Sequence, residues 1–222
     1  MSRTTTLLAA GLLLAALGAP AVAATEKYDY RVIHPTYGDI GSYSNVVERV
    51  GNETQVTSEL RIAVRLLGVT VYHQEARRTE HWQGRRLVRF DGLTVTNGER
   101  LEVHGEARNG GFAVTTATGT VMAPADVHPS NPWSAMVLDT NHMMSTRTGQ
   151  ILPAQVSGGE VEPVALAGNV LRLHQYEVVT DKHQFVWLDD SGTPVAFRTA
   201  EHGTPIDFVL QRRQELADSR RE

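Results

Sequence analysis

The sequence predicts a mainly β protein: a curved antiparallel sheet, half-barrel or open barrel, of about eleven or twelve strands with one helix covering it. Three observations lead there. Turn-forming residues recur at short intervals, the runs between them alternate apolar and polar positions, and two of those runs change parity part-way along. Alternation means a half-buried strand, and a parity change means that a strand must bend to keep its apolar side inward.

In chain order, Tyr28, Tyr30 and Val32 share one face of the first strand, which Pro35-Thr36-Tyr37-Gly38 ends; Gly51-Asn52 ends the next. From Thr54 to Tyr72 the apolar residues Val56, Leu60, Ile62, Val64 and Leu66 keep even parity, then Leu67, Val69 and Val71 switch to odd. Beside Gly68 such a switch is what a β-bulge produces, so this run is expected to be one long bent strand. Gln83-Gly84, Asn97-Gly98 and Asn109-Gly110-Gly111 punctuate the following hairpins. The two Asn-Gly pairs are the strongest signals, because both residues tolerate positive φ.

Ser130 to Thr148 departs from the pattern. Ser130-Asn131-Pro132-Trp133 offers a cap and an early-turn Pro, Trp133, Met136, Val137 and Met144 follow at near-helical spacing, and Gly149 offers a stop. These residues predict about three turns of helix. Turn signals resume at Ser157-Gly158-Gly159, Asp190-Ser191-Gly192 and His202-Gly203-Thr204-Pro205. A parity change between Leu171/Leu173 and Tyr176/Val178 predicts a second bend near His174-Gln175, and Ile206, Phe208 and Leu210 share one face of the last strand. Long bent strands suit a barrel or half-barrel better than a flat sandwich.

The first 23 residues read as an export signal. Arg3 supplies the positive end, Leu7 to Leu17 an apolar run too short to span a bilayer, and Ala21-Val22-Ala23 a small-x-small cleavage site. The expected organisation is a signal peptide over 1–23, one β-rich domain over 24–210 and a charged tail over 211–222 that frays into solvent. The expected location is the periplasm or the cell exterior, with no integral membrane span after cleavage. Loss of Arg3 leaves the product one charge more acidic than the whole chain, whose net charge is −4; nucleic acid is not an expected partner for such a surface. The chain has no Cys, which removes thiol nucleophiles, thiolate metal sites and disulfides, so stability must come from packing and sheet hydrogen bonds.

Candidate chemistry is sparse. The nine His include no H-x-H or H-E-x-x-H pair, and His142-Met143-Met144, though soft enough for copper, would point three ways on a helix. Ser134, His128 and Asp126, or Asp139 with His142, can be assembled into hydrolytic groupings on paper, but no nucleophile-turn signature accompanies them. Glu75 and Glu80 fall on opposite faces of a strand, as do Glu99 and Glu102, and Asp189-Asp190 sits in a turn. Arg77, Arg78, Arg85, Arg86 and Arg89 around Trp82 read as a solvated hairpin balanced by Glu75 and Glu80, with Trp82 facing the core; the alternative is a hairpin whose Arg groups meet anionic headgroups or an acidic partner while the indole inserts beside them. No metal or cofactor is expected. The aromatic set Tyr30, Trp82, Phe90, Trp133, Tyr176, Trp187 and Phe208, with Met136 from the helix and Phe185, is the candidate lining of an apolar cavity; the same residues can equally fill a solid core.

Tyr37-Gly38-Asp39-Ile40-Gly41, Glu80-His81-Trp82-Gln83-Gly84-Arg85-Arg86-Leu87, Thr94-Val95-Thr96-Asn97-Gly98, Trp133, and Trp187-Leu188-Asp189 leading into Gly192-Thr193-Pro194-Val195 follow one order. In that order the chain resembles, from about Tyr28 to Leu210, a family of secreted bacterial β-rich proteins known as a domain of unknown function. The resemblance implies an architecture similar to the half-barrels of periplasmic lipoprotein carriers and supplies no catalytic residues. The expected function is non-enzymatic binding of an apolar or lipid-like ligand in the curved sheet. A structural or protein-interaction module of the envelope, and a metal-dependent or hydrolytic enzyme built on His128, His142, His174 and His183, are the other two readings.

Overall fold

The computed structural model describes residues 23–166, 169–201 and 203–216. Residues 1–22 of the expected signal lie outside them. The chain forms two antiparallel meanders. The first comprises β1 (Ala23–His34), β2 (Gly38–Val50), β3 (Glu53–Leu66), β4 (Val69–Gln83), β5 (Arg86–Thr96), β6 (Glu99–Arg108), β7 (Gly111–Thr116) and β8 (Gly119–Ala123). The second comprises β12 (Gln155–Leu166), β13 (Asn169–Val179), β14 (His183–Leu188), β15 (Pro194–Glu201) and β16 (Thr204–Leu216). The last strand returns to pair with the first, Val32 opposite Phe208 and Tyr30 opposite Leu210. One 13-stranded sheet results, with β12 and β8 at its two edges.

The sheet is unclosed, and the ladder is interrupted where it curves. Register shifts at Asp29/Tyr30, Val32/Ile33, Val64/Arg65 and His81/Trp82 add a residue to one strand of a pair, which bends the strand and increases its twist. Alternation then fills the concave side: Tyr28, Tyr30 and Val32 on β1, Tyr43 and Val47 on β2, Val56, Leu60 and Ile62 on β3, and Phe90 on β5 are all buried in one cluster. A smaller cluster of Leu166, Leu173, Trp187, Ala196 and Val209 packs on the other face. The edges are guarded in the usual ways. β8 is short, and β12 carries a bulge between Gly158 and Val161 together with Glu160, Glu162 and Pro163.

Three sequence expectations are corrected here. Thr54 to Tyr72 is not one bent strand. Leu67 (φ 50°) and Gly68 (φ 84°) form a two-residue hairpin turn between β3 and β4, and such a turn shifts parity just as a bulge does. Ser157-Gly158-Gly159 is a bulge inside β12 rather than a turn, and it faces Tyr176 and His174 across the ladder, so the irregularity near His174-Gln175 belongs to the partner strand. The expected helix is absent: among the described residues there is no α-helix, only a 3-10 turn over Ala135–Asp139 capped by Ser134.

The segment 124–154 instead lies across the concave face as a small sheet of β9 (His128–Pro129), β10 (His142–Met144) and β11 (Ile151–Pro153), β10 running parallel to β9 and antiparallel to β11. Its backbone groups pair across the strap: Ser130 N donates to Met144 O (2.8 Å) and Ala154 N to Asn141 O (2.8 Å). Thr140 Oγ1 donates to the backbone around it, ending the turn. The near-helical spacing of Trp133, Val137 and Met144 thus reflects burial of one side of an irregular strap. These short strands and the Leu67-Gly68 hairpin account for a strand number above the expected eleven or twelve. The C-terminal stretch expected to fray is, as far as Leu216, the end of β16, where Arg213 pairs with Glu26 (2.7 Å) and Arg212 with Asp29 (3.0 Å).

Candidate functional site

Ala76, Arg78, Glu80 and Trp82 occupy alternate positions of β4 and are all buried on the concave face. Strand register sets Arg78 between Ser58 on β3 and Gly92 on β5, and Glu80 between Val56 and Phe90. The charged pair read from the sequence as part of a solvated hairpin is therefore inside. Glu80 is wholly buried and accepts three hydrogen bonds: from Asn131 Nδ2 at 2.8 Å, and from the indole N–H groups of Trp82 and Trp133, both at 2.9 Å. Asn131 Nδ2 also donates to Ser58 Oγ (2.8 Å), Ser58 donates to Asn45 Oδ1 (2.7 Å), and the Tyr43 hydroxyl lies between Asn45 Oδ1, at 2.7 Å, and Asn131 Oδ1. Two residues of the strap, Asn131 and Trp133, are thereby pinned to three strands of the sheet. Arg85 paired with Asp139 ties the 3-10 turn to the β4–β5 hairpin as well.

Burial pushes the Glu80 carboxyl up to about 7, against the three N–H donors and the Arg78 charge that pull it down. Burial and the nearby Arg85 charge push His128, whose ring lies 4.9 Å from that of Trp82, down to about 4. The two have opposite effects on stability. Glu80 is protonated more readily folded than unfolded, so its contribution is complete below about pH 4.5 and is lost as pH rises through about 7; His128 contributes fully above about pH 6.5 and loses this as pH falls through about 4. Between pH 4.5 and 6.5 the slopes oppose each other. Relative to wild type, the urea midpoint of His128→Asn should fall more steeply over that window, and that of Glu80→Gln should rise. Superimposable profiles for all three proteins would show that neither group titrates there.

Beside this pin lies a cleft of about 580 Å³ between the sheet and the strap. Tyr43, Leu60, Ile62, Val64, Phe197, Ile206 and Phe208 form its apolar wall, Ser130, Asn131, Pro132 and Met143 of the strap cover it, and Arg78 lines it. Tyr43 is central to that wall: its ring centroid is 5.6 Å from Phe197 and 5.7 Å from Phe208. The mouth lies at the end of the sheet carrying the β1–β2, β3–β4, β13–β14 and β15–β16 turns, where His34, Tyr37, Val71, Thr180 and Thr204 also line it.

Of the aromatic positions named from the sequence, Phe208 lines this cleft. Trp82, Trp133 and Met136 surround a much smaller void beside His128. Tyr30 and Phe90 are in the main core, Tyr176 packs against it, and Trp187 is on the opposite face of the sheet, stacked with Phe185 and donating to Gln175 (2.8 Å). Sequence reasoning passed over Arg78 and Glu80 because of their charge, although Ala76 and Trp82 at the same parity mark that face as internal.

The His residues are dispersed. His174 meets Asp190 (3.2 Å), His183 meets Glu177 (2.6 Å), and His142 is 4.0 Å from Asp126. Among the described residues no group of three or more His, Asp or Glu side chains is arranged to hold a metal ion. Ser134 serves as the cap of the 3-10 turn and Asp139 pairs with Arg85, so the paper triads are not assembled. Among the described residues no helix is long and apolar enough to cross a membrane.

Residues 30–211 match the family described as a domain of unknown function, DUF6134. The chain belongs to that family. No curated protein matches it significantly. Among solved structures, a β-barrel-like protein of the domain of unknown function DUF1849 from Brucella abortus is similar in fold. Its TM-score is 0.65 at 8% identity, over 90% of this chain and 100% of that one. A DUF6134 chain thus has a β-barrel-like fold, here with its sheet open.

Proposed function

We propose that this DUF6134 protein is exported to the periplasm or beyond and binds an apolar, lipid-like ligand without catalysis. The cleft carries the reading. Its volume of about 580 Å³ falls within the roughly 300–1,000 Å³ of ordinary small-molecule sites, and an aliphatic and aromatic wall is joined by polar groups of the strap, by Arg78 and by polar residues at the mouth. Apolar side chains also stand at the approach: Tyr37 and Val71 at the mouth are about half exposed, and Leu67 at the tip of the neighbouring hairpin is fully exposed. The signal-like N-terminus supports an envelope setting, and the half-barrel of the lipoprotein carriers is the architecture this reading has in view.

Delipidated, refolded protein titrated with a neutral fluorescent acyl probe should show saturable uptake of one probe per chain. Ile62→Trp, which fills the wall, should weaken uptake about tenfold or more, the equivalent of one to two well-packed apolar contacts. Absence of uptake by wild type, or equal uptake by Ile62→Trp, would sink the reading. Val121 and Met122, half exposed on the edge strand β8, favour a second reading, an envelope interaction module that adds a partner's strand to this edge. That reading predicts a co-purifying partner that Val121→Pro abolishes and Ile62→Trp does not.

A further inference from the structure

Among the charged residues that line the cleft, which include Arg147 of the strap and Asp181 and Lys182 between β13 and β14, Arg78 is the buried one. It is 8% exposed, yet among the described residues its guanidinium makes no hydrogen bond and no carboxylate lies within ion-pair distance; its Nε is buried without a partner. Glu80, two positions along the same strand, has both oxygens engaged by Asn131 and the two indoles and so acts on Arg78 only through its charge. Two more buried polar atoms are without partners, Asn45 Nδ2 on β2 and Thr94 Oγ1 on β5, the strand next to β4. A guanidinium cannot shed its charge, and leaving its donors unmet in a dry interior is costly. Leu60, Ile62, Val64 and Ile206 form an aliphatic strip of the wall, beside the aromatic Tyr43, Phe197 and Phe208 and with Tyr72 and Gln74 of β4 also lining the cleft.

We propose that Arg78 is the anchor for an anionic head group and that the ligand class is a single-chain amphiphile with one carboxylate, a long-chain fatty acid or a close analogue, its tail toward the mouth. The proposal rests on the cleft being a ligand site. The planar fork of the guanidinium matches the two oxygens of a carboxylate. The Glu80 carboxyl already acts on Arg78 from two positions along the strand, so a head group with one negative charge meets less like-charge repulsion there than one with two. An apolar chain of this kind also fits the aliphatic and aromatic side chains that line the cleft beside Arg78.

The test compares palmitate with hexadecanol, which differ only in the head group, on delipidated wild type, Arg78→Met and Arg78→Gln by competition against the neutral acyl probe. Wild type should prefer palmitate about ten- to hundredfold, the range for a buried hydrogen bond to a charged group. Both variants should lose that preference, their affinity for palmitate falling to that for hexadecanol. Equal wild-type affinity for the acid and the alcohol overturns the anchor with no variant needed, as does an undiminished preference in a folded variant; in both cases the cleft reading survives. Hexadecyl phosphate displacing the probe better than palmitate overturns the carboxylate. No binding of any of the three by wild type removes the cleft reading itself.

Discussion

Glu80→Ala should cost about 3–5 kcal/mol of folding stability, the scale for breaking a buried, hydrogen-bonded ionic site by removing one member. The substitution strands the Trp82 and Trp133 indole N–H groups and one proton of the Asn131 amide in a site without solvent. It also takes away the carboxyl that acts on Arg78 from the same face of β4. Each abandoned donor costs about 1–3 kcal/mol, partly recovered as the strap relaxes. Glu80→Gln should cost less, since its carbonyl can still accept from both indoles while its amide turns toward Asn131. Urea denaturation measures both, and near-UV circular dichroism of the two Trp reports whether the strap has let go. A Glu80→Ala protein within about 1 kcal/mol of wild type, far below the buried-charge scale, would mean that the carboxylate does not hold the strap.

Phe90→Ala should cost a comparable 3–5 kcal/mol, the usual range for truncating a buried aromatic. The ring has no exposed surface and occupies space that two glycines leave for it. A Cβ on Gly92 would come within 2.8 Å of Phe90 Cε1, and one on Gly105, directly across the ladder, within 3.4 Å of Phe90 Cβ and 2.3 Å of Phe112 Cε1. Sheet backbone and ring are fitted to one another, so the hole left by truncation cannot close without moving strands. The fit also predicts non-additivity. Gly92→Ala should destabilise the wild type, whereas in the Phe90→Ala background it should cost about 1 kcal/mol less, within the range seen for residues in contact. Additive losses in that double-mutant cycle would show that the glycine is not there for the ring.

Hairpins with a specific turn signature were legible. Asn97-Gly98 and Asn109-Gly110 adopt positive φ as expected, and Tyr28, Tyr30 and Val32 face the core together. Leu67-Gly68 was not, because a leucine with positive φ carries no turn signature and a two-residue turn and a bulge leave the same parity trace. The strap was misread for a related reason: apolar spacing reports that one side is buried, and an irregular segment lying on a sheet satisfies it as well as a helix does. The family resemblance held over residues 30–211, and the family has no assigned function to pass on.

The local chemistry of turns and alternation therefore determined the β class and most hairpin positions, because those preferences act between residues two to four apart. Only the tertiary structure decided that Arg78 and Glu80 point inward, that residues 124–154 cross the concave face, and that a cleft remains between strap and sheet. Each of those depends on groups far apart in sequence: Asn131 reaching Glu80 and Ser58, Trp133 reaching Glu80, and β16 closing on β1. A buried charge is tolerated only where such distant partners arrive, and no periodicity in a single strand records their arrival.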